Sequence, residues 1–190
     1  EGKNLNMQKK MIFFDIDGTL VNDQKIIPES TKLAIKELKK NGHEVAIATG
    51  RNLFMAQGII DELDISNYIV CNGAAGYLDK KQVYENPLDH AQLEKLIKVA
   101  DSNNHNIIYE TPDTLRRRNE EADVKITTAM KSVGYGVPKY EPDFYLNHSL
   151  VQCLIFYRED EKQYYESGQF SKFRFVRWHE SGVDVLQHDG

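Results

Sequence analysis

Two aspartates spaced by one residue, Asp15 and Asp17, close an apolar run and are followed by Gly18-Thr19. Side chains two apart on a strand point the same way, so both carboxyls can converge where such a strand ends. Two acids with different neighbours can divide labour, one ionised as a nucleophile and the other passing a proton. Gly18 permits a turn that other residues resist, and the amides after it can face an anion. The spacing therefore suits covalent acid–base chemistry beside a negative group. A calcium loop starting at Asp15 would need Gly at its sixth place and Glu at its twelfth. Leu20 and Ile26 stand there instead. A solvated acidic turn after a strand is the plain alternative.

Three elements must position this chemistry. Met11 to Phe14 form a continuous apolar run, which predicts a strand buried on both faces. The C-terminal end of such a strand is where open parallel sheets place their ligands. Glu44 to Ala48 reads as a second strand and delivers Thr49-Gly50-Arg51 to the same edge. Alone, that tripeptide would be an ordinary strand-to-helix turn. A third strand, Tyr68 to Cys71, runs into Asn72-Gly73-Ala74. Between the first two motifs there is room for a turn or small hairpin over Val21 to Ile27 and one helix.

Asp15-x-Asp17-Gly18-Thr19-Leu20, followed by Thr49-Gly50-Arg51, resembles the haloacid dehalogenase (HAD) superfamily. More narrowly, the chain resembles the Cof-type phosphatases with a large α/β cap of type IIB, from about Met7 onward. The resemblance implies an α/β fold: a Rossmann-like parallel-sheet core, here incomplete, with an inserted α/β cap. Its domains are expected at 7–84 for the N-terminal part of the core and 85–182 for the cap, with 183–190 returning toward the core. Residues 1–6 read as a tag remnant or mobile leader. Dehalogenases of the superfamily lack the second aspartate, and no cap fits between the first two motifs, so the cap is expected after the third strand.

The resemblance also implies roles. Asp15 would attack phosphorus, and Asp17 would protonate the leaving alcohol and then take a proton from water. The Asp15 carboxylate and Asp17 main-chain carbonyl would hold Mg2+. Gly18, Thr49 and Gly50 would grip the phosphoryl oxygens, and Arg51 and Asn72 would orient phosphate or substrate. Helix-start and turn duties are the plain alternative for those last two. The family's later lysine and acidic motif are expected beyond Gly190. Without the later strands, the Asp15 strand is expected to be an apolar edge, and Mg2+ to have few protein ligands. The expected substrate is a small phosphorylated metabolite: a sugar phosphate, nucleotide or cofactor phosphate. A phosphomannomutase-like phosphotransferase and a catalytically dead HAD-fold binding protein are the alternatives.

The rest of the chain predicts an α/β module. His90 to Asn103 carries Leu93, Leu96, Ile97 and Ala100 at helical spacing, and Asn106 to Glu110 reads as a strand. Glu120 to Val133 reads as a helix ending at Gly134. Ser149 to Tyr157 predicts a strand, Glu159 to Ser167 a short charged helix, and Phe173 to His179 and Val183 to Gln187 further strands. Arg116-Arg117-Arg118 is either a solvated turn or a source of guanidinium for an anionic substrate.

Among 190 residues, 41% are hydrophobic and 28% charged, as in ordinary globular proteins. The net charge of −5 gives no electrostatic reason to expect nucleic acid. Cys71 and Cys153 are too few for a disulfide framework and fit a reduced, cytoplasmic setting. The six histidines lack zinc-ligand spacing. No apolar stretch is long enough for a membrane span, so no membrane partner is expected. Oligomeric state is left open.

Overall fold

Short strands and two helices build the first unit of the computed structural model, which describes residues 8–188. The expected leader at 1–6 lies outside those residues. The elements run β1 (Met11–Phe14), α1 (Glu29–Lys40), β2 (Glu44–Ala48), α2 (Leu53–Glu62), β3 (Asn67–Val70), a 3-10 turn (Cys71–Gly73), β4 (Ala75–Leu78) and β5 (Lys81–Glu85). Helix α1 starts after extended Pro28 and carries Glu29 in its first turn and Lys39 and Lys40 in its last, complementing the helix dipole. Asn52 caps α2 by accepting a hydrogen bond from the Met55 amide.

The sheet order is β1-β2-β3-β4-β5. Strands β1, β2 and β3 are parallel, with Phe14 level with Ile47 and Ile47 level with Tyr68. That register brings the C-terminal ends of three strands to one edge of the sheet. Strand β4 returns antiparallel to β3. Among the described residues strand β1 pairs with β2 alone, and Met11 and Phe13 are 42% and 51% exposed. Burial on both faces, expected from the apolar run, is therefore wrong; the apolar edge is what the fold displays. An uninterrupted run of hydrophobic residues specifies a strand but not which neighbours will cover it.

The chain divides between Val83 and Tyr84, inside β5, into two compact units. The second contains α3 (His90–Ser102), β6 (Asn106–Thr111), β7 (Thr114–Arg117), α4 (Val124–Ser132), β8 (Lys139–Tyr140), α5 (Phe144–Asn147), β9 (Gln152–Phe156), a 3-10 segment (Glu159–Tyr164), β10 (Phe173–Arg177) and β11 (Val183–Gln187). Its sheet order is β10-β11-β9-β6-β7-β8, antiparallel except for the β7–β8 pair. On one face, Leu93, Leu96 and Ile97 of α3 pack against Ile107, Cys153, Ile155 and Val185. On the other, Ile126, Ala129 and Met130 of α4 pack against Ile108, Leu154 and Phe156.

Several boundaries differ from the sequence reading. Helix α4 begins at Val124 because Asp123 caps it, accepting from the Lys125 amide, so Glu120 to Ala122 precede the helix. The expected helix over Glu159 to Ser167 is a 3-10 segment ending at Tyr164. Val183–Gln187, assigned to the return toward the core, is an interior strand paired on both sides within the second sheet. Arg116 and Arg117 lie in β7 rather than a solvated turn. Arg116 pairs with Glu141, Arg118 with Asp101, and Arg117 donates to the Pro138, Asn119 and Glu120 carbonyls. This cluster is a fastening of the second unit.

Candidate active site

The loop after β1 is built around one buried residue. Ile16 is fully buried, and its carbonyl accepts hydrogen bonds from the Thr19, Leu20 and Val21 amides at 3.3, 3.0 and 3.2 Å. Gly18 takes φ 74°, the left-handed conformation that the turn requires. With Ile16 anchored inward, its neighbours Asp15 and Asp17 are left exposed at the sheet edge. Asp15 Oδ1 accepts from the Ile16 amide at 2.7 Å.

Asp17 is gripped by two cations. Arg51 Nε donates to Oδ2 at 2.9 Å and Arg51 Nη2 to Oδ1 at 2.6 Å, a two-pronged fork, while Lys25 Nζ donates to Oδ1 at 2.8 Å. The Arg51 fork, helped by Lys25 and opposed by partial burial, brings the Asp17 carboxyl down to about 2. In this arrangement Asp17 is a carboxylate at neutral pH. Lys25 has no place in the motifs from which the site was read. What marks it locally is Asn22, whose Oδ1 accepts from the Gln24 and Ile26 amides at 3.0 Å each and ties the loop into an Asx-type turn.

The second and third strand ends meet through the backbone. The Thr49 amide donates to the Ile69 carbonyl at 3.0 Å, and Thr49 Oγ1 accepts from the Arg51 amide at 3.1 Å. The Cys71 amide donates to the Arg51 carbonyl at 2.8 Å and the Asn72 amide to the Thr49 carbonyl at 3.2 Å. Cys71, Asn72 and Gly73 all have positive φ, at 54°, 55° and 93°. Successive left-handed residues other than glycine are uncommon and costly. The outcome is a close approach: a β-carbon on Gly50 would lie 2.6 Å from Asn72 Oδ1. A β-carbon there would force the Asn72 carboxamide to shift.

Thus Arg51 and Asp17 are in direct contact, Thr49, Gly50, Arg51 and Asn72 are knitted together, and Asp15 and Gly18 share the edge through their loop. Thr49 is buried, whereas Asp15, Asp17, Gly18, Gly50 and Asn72 are exposed. Among the described residues no three His, Cys, Asp or Glu side chains group into a metal site. The exposed Asp15 carboxylate nonetheless fits Mg2+, which prefers oxygen ligands and usually takes one or two carboxylates plus water and phosphate oxygens.

The family model for haloacid dehalogenase-like hydrolases matches residues 12–189. A Bacillus subtilis (strain 168) protein named "Putative phosphatase YkrA" is 35% identical over 184 residues, covering 97% of this chain and 70% of its own length. A crystal structure of a hypothetical protein from Geobacillus kaustophilus HTA426 superposes with TM-score 0.91 at 35% identity, covering 96% of this chain and 70% of that one. The HAD subclass IIB sugar phosphatase BT4131 shares the fold, with TM-score 0.75 at 22% identity over 95% of this chain and 70% of its own. The chain belongs to the haloacid dehalogenase-like hydrolase family, and within it to the Cof-type phosphatases. No helix among the described residues is long and apolar enough to cross a membrane.

Proposed function

We propose that the protein hydrolyses small phosphorylated metabolites through an aspartyl-phosphate on Asp15. The observation that carries this reading is the exposed Asp15 carboxylate at an edge shared with the Asp17–Arg51 fork and the Thr49–Asn72 loop. Asp15 Oδ attacks phosphorus and the ester oxygen leaves; water then attacks the aspartyl-phosphate, regenerating the carboxylate and releasing phosphate. The Gly18 and Gly50 amides and the Thr49 hydroxyl hold the phosphoryl oxygens, with Asn72 orienting the substrate.

Asp17, protonated from solvent once the substrate has displaced Arg51, passes that proton to the leaving oxygen and then takes one from the attacking water, which it returns to solvent as the fork re-forms. For the first task the Arg51 fork must open, since a carboxylate so held has no proton to give. A phosphate dianion offers Arg51 a better bidentate partner than a carboxylate, which supplies the force for opening. Mg2+, held by the Asp15 carboxylate and the Asp17 carbonyl, would draw negative charge from the phosphoryl oxygens. The second unit is read as the cap assigned to 85–182.

Phosphate release from a panel of sugar phosphates, nucleotides and cofactor phosphates, with Mg2+ and with EDTA, tests this reading. Turnover that needs Mg2+ and vanishes in Asp15→Asn supports it. Absence of release across the panel, in a protein shown to be folded, removes it.

A further inference from the structure

Lys25 occupies a position that its loop gives a lysine little reason to hold. Its backbone lies at φ 61°, where glycine or asparagine is ordinarily found. The loop fixes that conformation: the Lys25 amide donates to the Asn22 carbonyl at 2.9 Å, and the Asn22 amide to the Ile26 carbonyl at 3.0 Å. Buried Val21 and Ile27 anchor both ends. From this strained point the side chain reaches Asp17 Oδ1, the same oxygen that Arg51 Nη2 holds. The Lys25–Asp17 pair is well exposed on both sides. An exposed ion pair returns less stability than such a backbone costs.

Two cations converging on one carboxylate oxygen mark a spot where an anionic oxygen is welcome. Asp17 is tethered there by its own backbone, whereas Lys25 is a long, solvated chain free to turn through several ångströms. We propose that Lys25 is a further phosphate-binding cation of this site, parked on Asp17 until a phosphoryl oxygen takes over its ammonium group. The proposal rests on the phosphatase reading for where the phosphate sits, and it assigns the site a positive charge that its motifs do not contain. Lys25 is carried by the loop after β1 and Arg51 by the turn before α2, so the two charges reach Asp17 Oδ1 from different segments of the chain.

The test uses inorganic phosphate as the probe, with the full chain and its Lys25→Met, Lys25→Arg and Lys25→Asn variants. Competitive inhibition of phosphate-ester hydrolysis and direct calorimetric titration both read the affinity. Lys25→Met is expected to weaken phosphate binding about ten- to hundredfold, the usual worth of a charge-assisted hydrogen bond, and to raise KM more than it lowers kcat. Lys25→Arg should recover most of the affinity. Lys25→Asn should lose phosphate affinity while raising the melting temperature, because asparagine tolerates the left-handed backbone. A merely structural lysine would give the opposite result, with stability lost and affinity kept. Unchanged phosphate affinity in folded Lys25→Met overturns the proposal while leaving the phosphatase reading intact if the wild type turns over esters. Lys25-dependent phosphate binding without any turnover would uphold the proposal and remove the phosphatase reading.

Discussion

Asp15 and Asp17 are chemically identical side chains placed in different company, and their expected behaviour under mutation follows from that difference. Asp15 touches one backbone amide and faces solvent. Asp15→Asn keeps the size and that contact, so melting temperature should hold within a degree or two while phosphate release falls to background. Near-normal turnover in this variant would assign the nucleophile elsewhere. Asp17 is held down to about 2 by the Arg51 fork. Its folded-state value lies below the ordinary carboxylate value, so the unfolded chain binds more protons between about pH 2 and 4. The stability it contributes is therefore present above that window and is lost as pH falls through it. Arg51→Met should flatten that part of the acid-unfolding curve, followed by circular dichroism. If wild type and variant lose stability in parallel below pH 4, the fork is not an important ion pair in solution. That these candidate residues lie at one sheet edge was legible because spacing and strand-end position restrict them tightly. Lys25 was not, because a turn lysine becomes visible only when the loop's hydrogen bonds aim it.

Element-scale features divide in the same way. Helix α3 follows from its apolar periodicity, and strands β6, β9, β10 and β11 from their apolar residues, with β6 and β9 buried on both faces. Strands β7 and β8 were missed because arginines and lysines populate them, and pairing there is enforced by neighbours rather than by side-chain pattern. The left-handed Cys71–Gly73 turn was equally hidden: Asn72 and Gly73 signal a turn, but not one that presses a carboxamide onto Gly50. That contact makes a prediction. Gly50→Ala should impair turnover and cost about 1–3 kcal/mol, as overpacking usually does. Adding Asn72→Gly should recover stability without recovering activity, because glycine both clears the space and suits φ 55°. Additive losses by urea unfolding would show that the two residues do not press on each other.

Glu110 offers a second test at this scale. It is buried on the second sheet, where burial foremost and the nearby Asp184 charge push its carboxyl well above the ordinary range, against a hydrogen bond from Gln152 Nε2 at 2.7 Å. With the folded value raised, the stability linked to it is present at low pH and drains away as pH rises through that value. Glu110→Gln keeps an acceptor for Gln152 and cannot ionise. The variant should match the wild type in urea midpoint at acid pH and exceed it increasingly as the pH is raised. An equal alkaline decline in both proteins would mean that some other group carries the effect.

On the scale of the molecule, each unit has its own sheet, and the second has a core on both faces of its sheet. A polypeptide spanning residues 84–188 should therefore fold alone, with a cooperative urea transition and dispersed amide signals in an NMR spectrum. A molten spectrum would show that the second unit depends on the first. Motif order pointed to a second module after the third strand, since nothing between the first two motifs could hold a cap. The placement of Val183–Gln187 was not legible, because an apolar strand looks the same whether it leaves a sheet or sits inside it.

The hairpin between β10 and β11 has an optical consequence. The chain's single tryptophan, Trp178, stands edge-on to Phe156 with ring centroids 6.4 Å apart, and Gly182 lies so close that a β-carbon there would meet the indole at 2.7 Å. Excited at the red edge of indole absorption, the protein emits from the second unit alone, and the first is dark. A fluorescence melt would then follow one unit, to be set against circular dichroism, which follows both. Any change in emission on adding a phosphate ester would be a message from the second unit about an event at the Asp15 edge of the first.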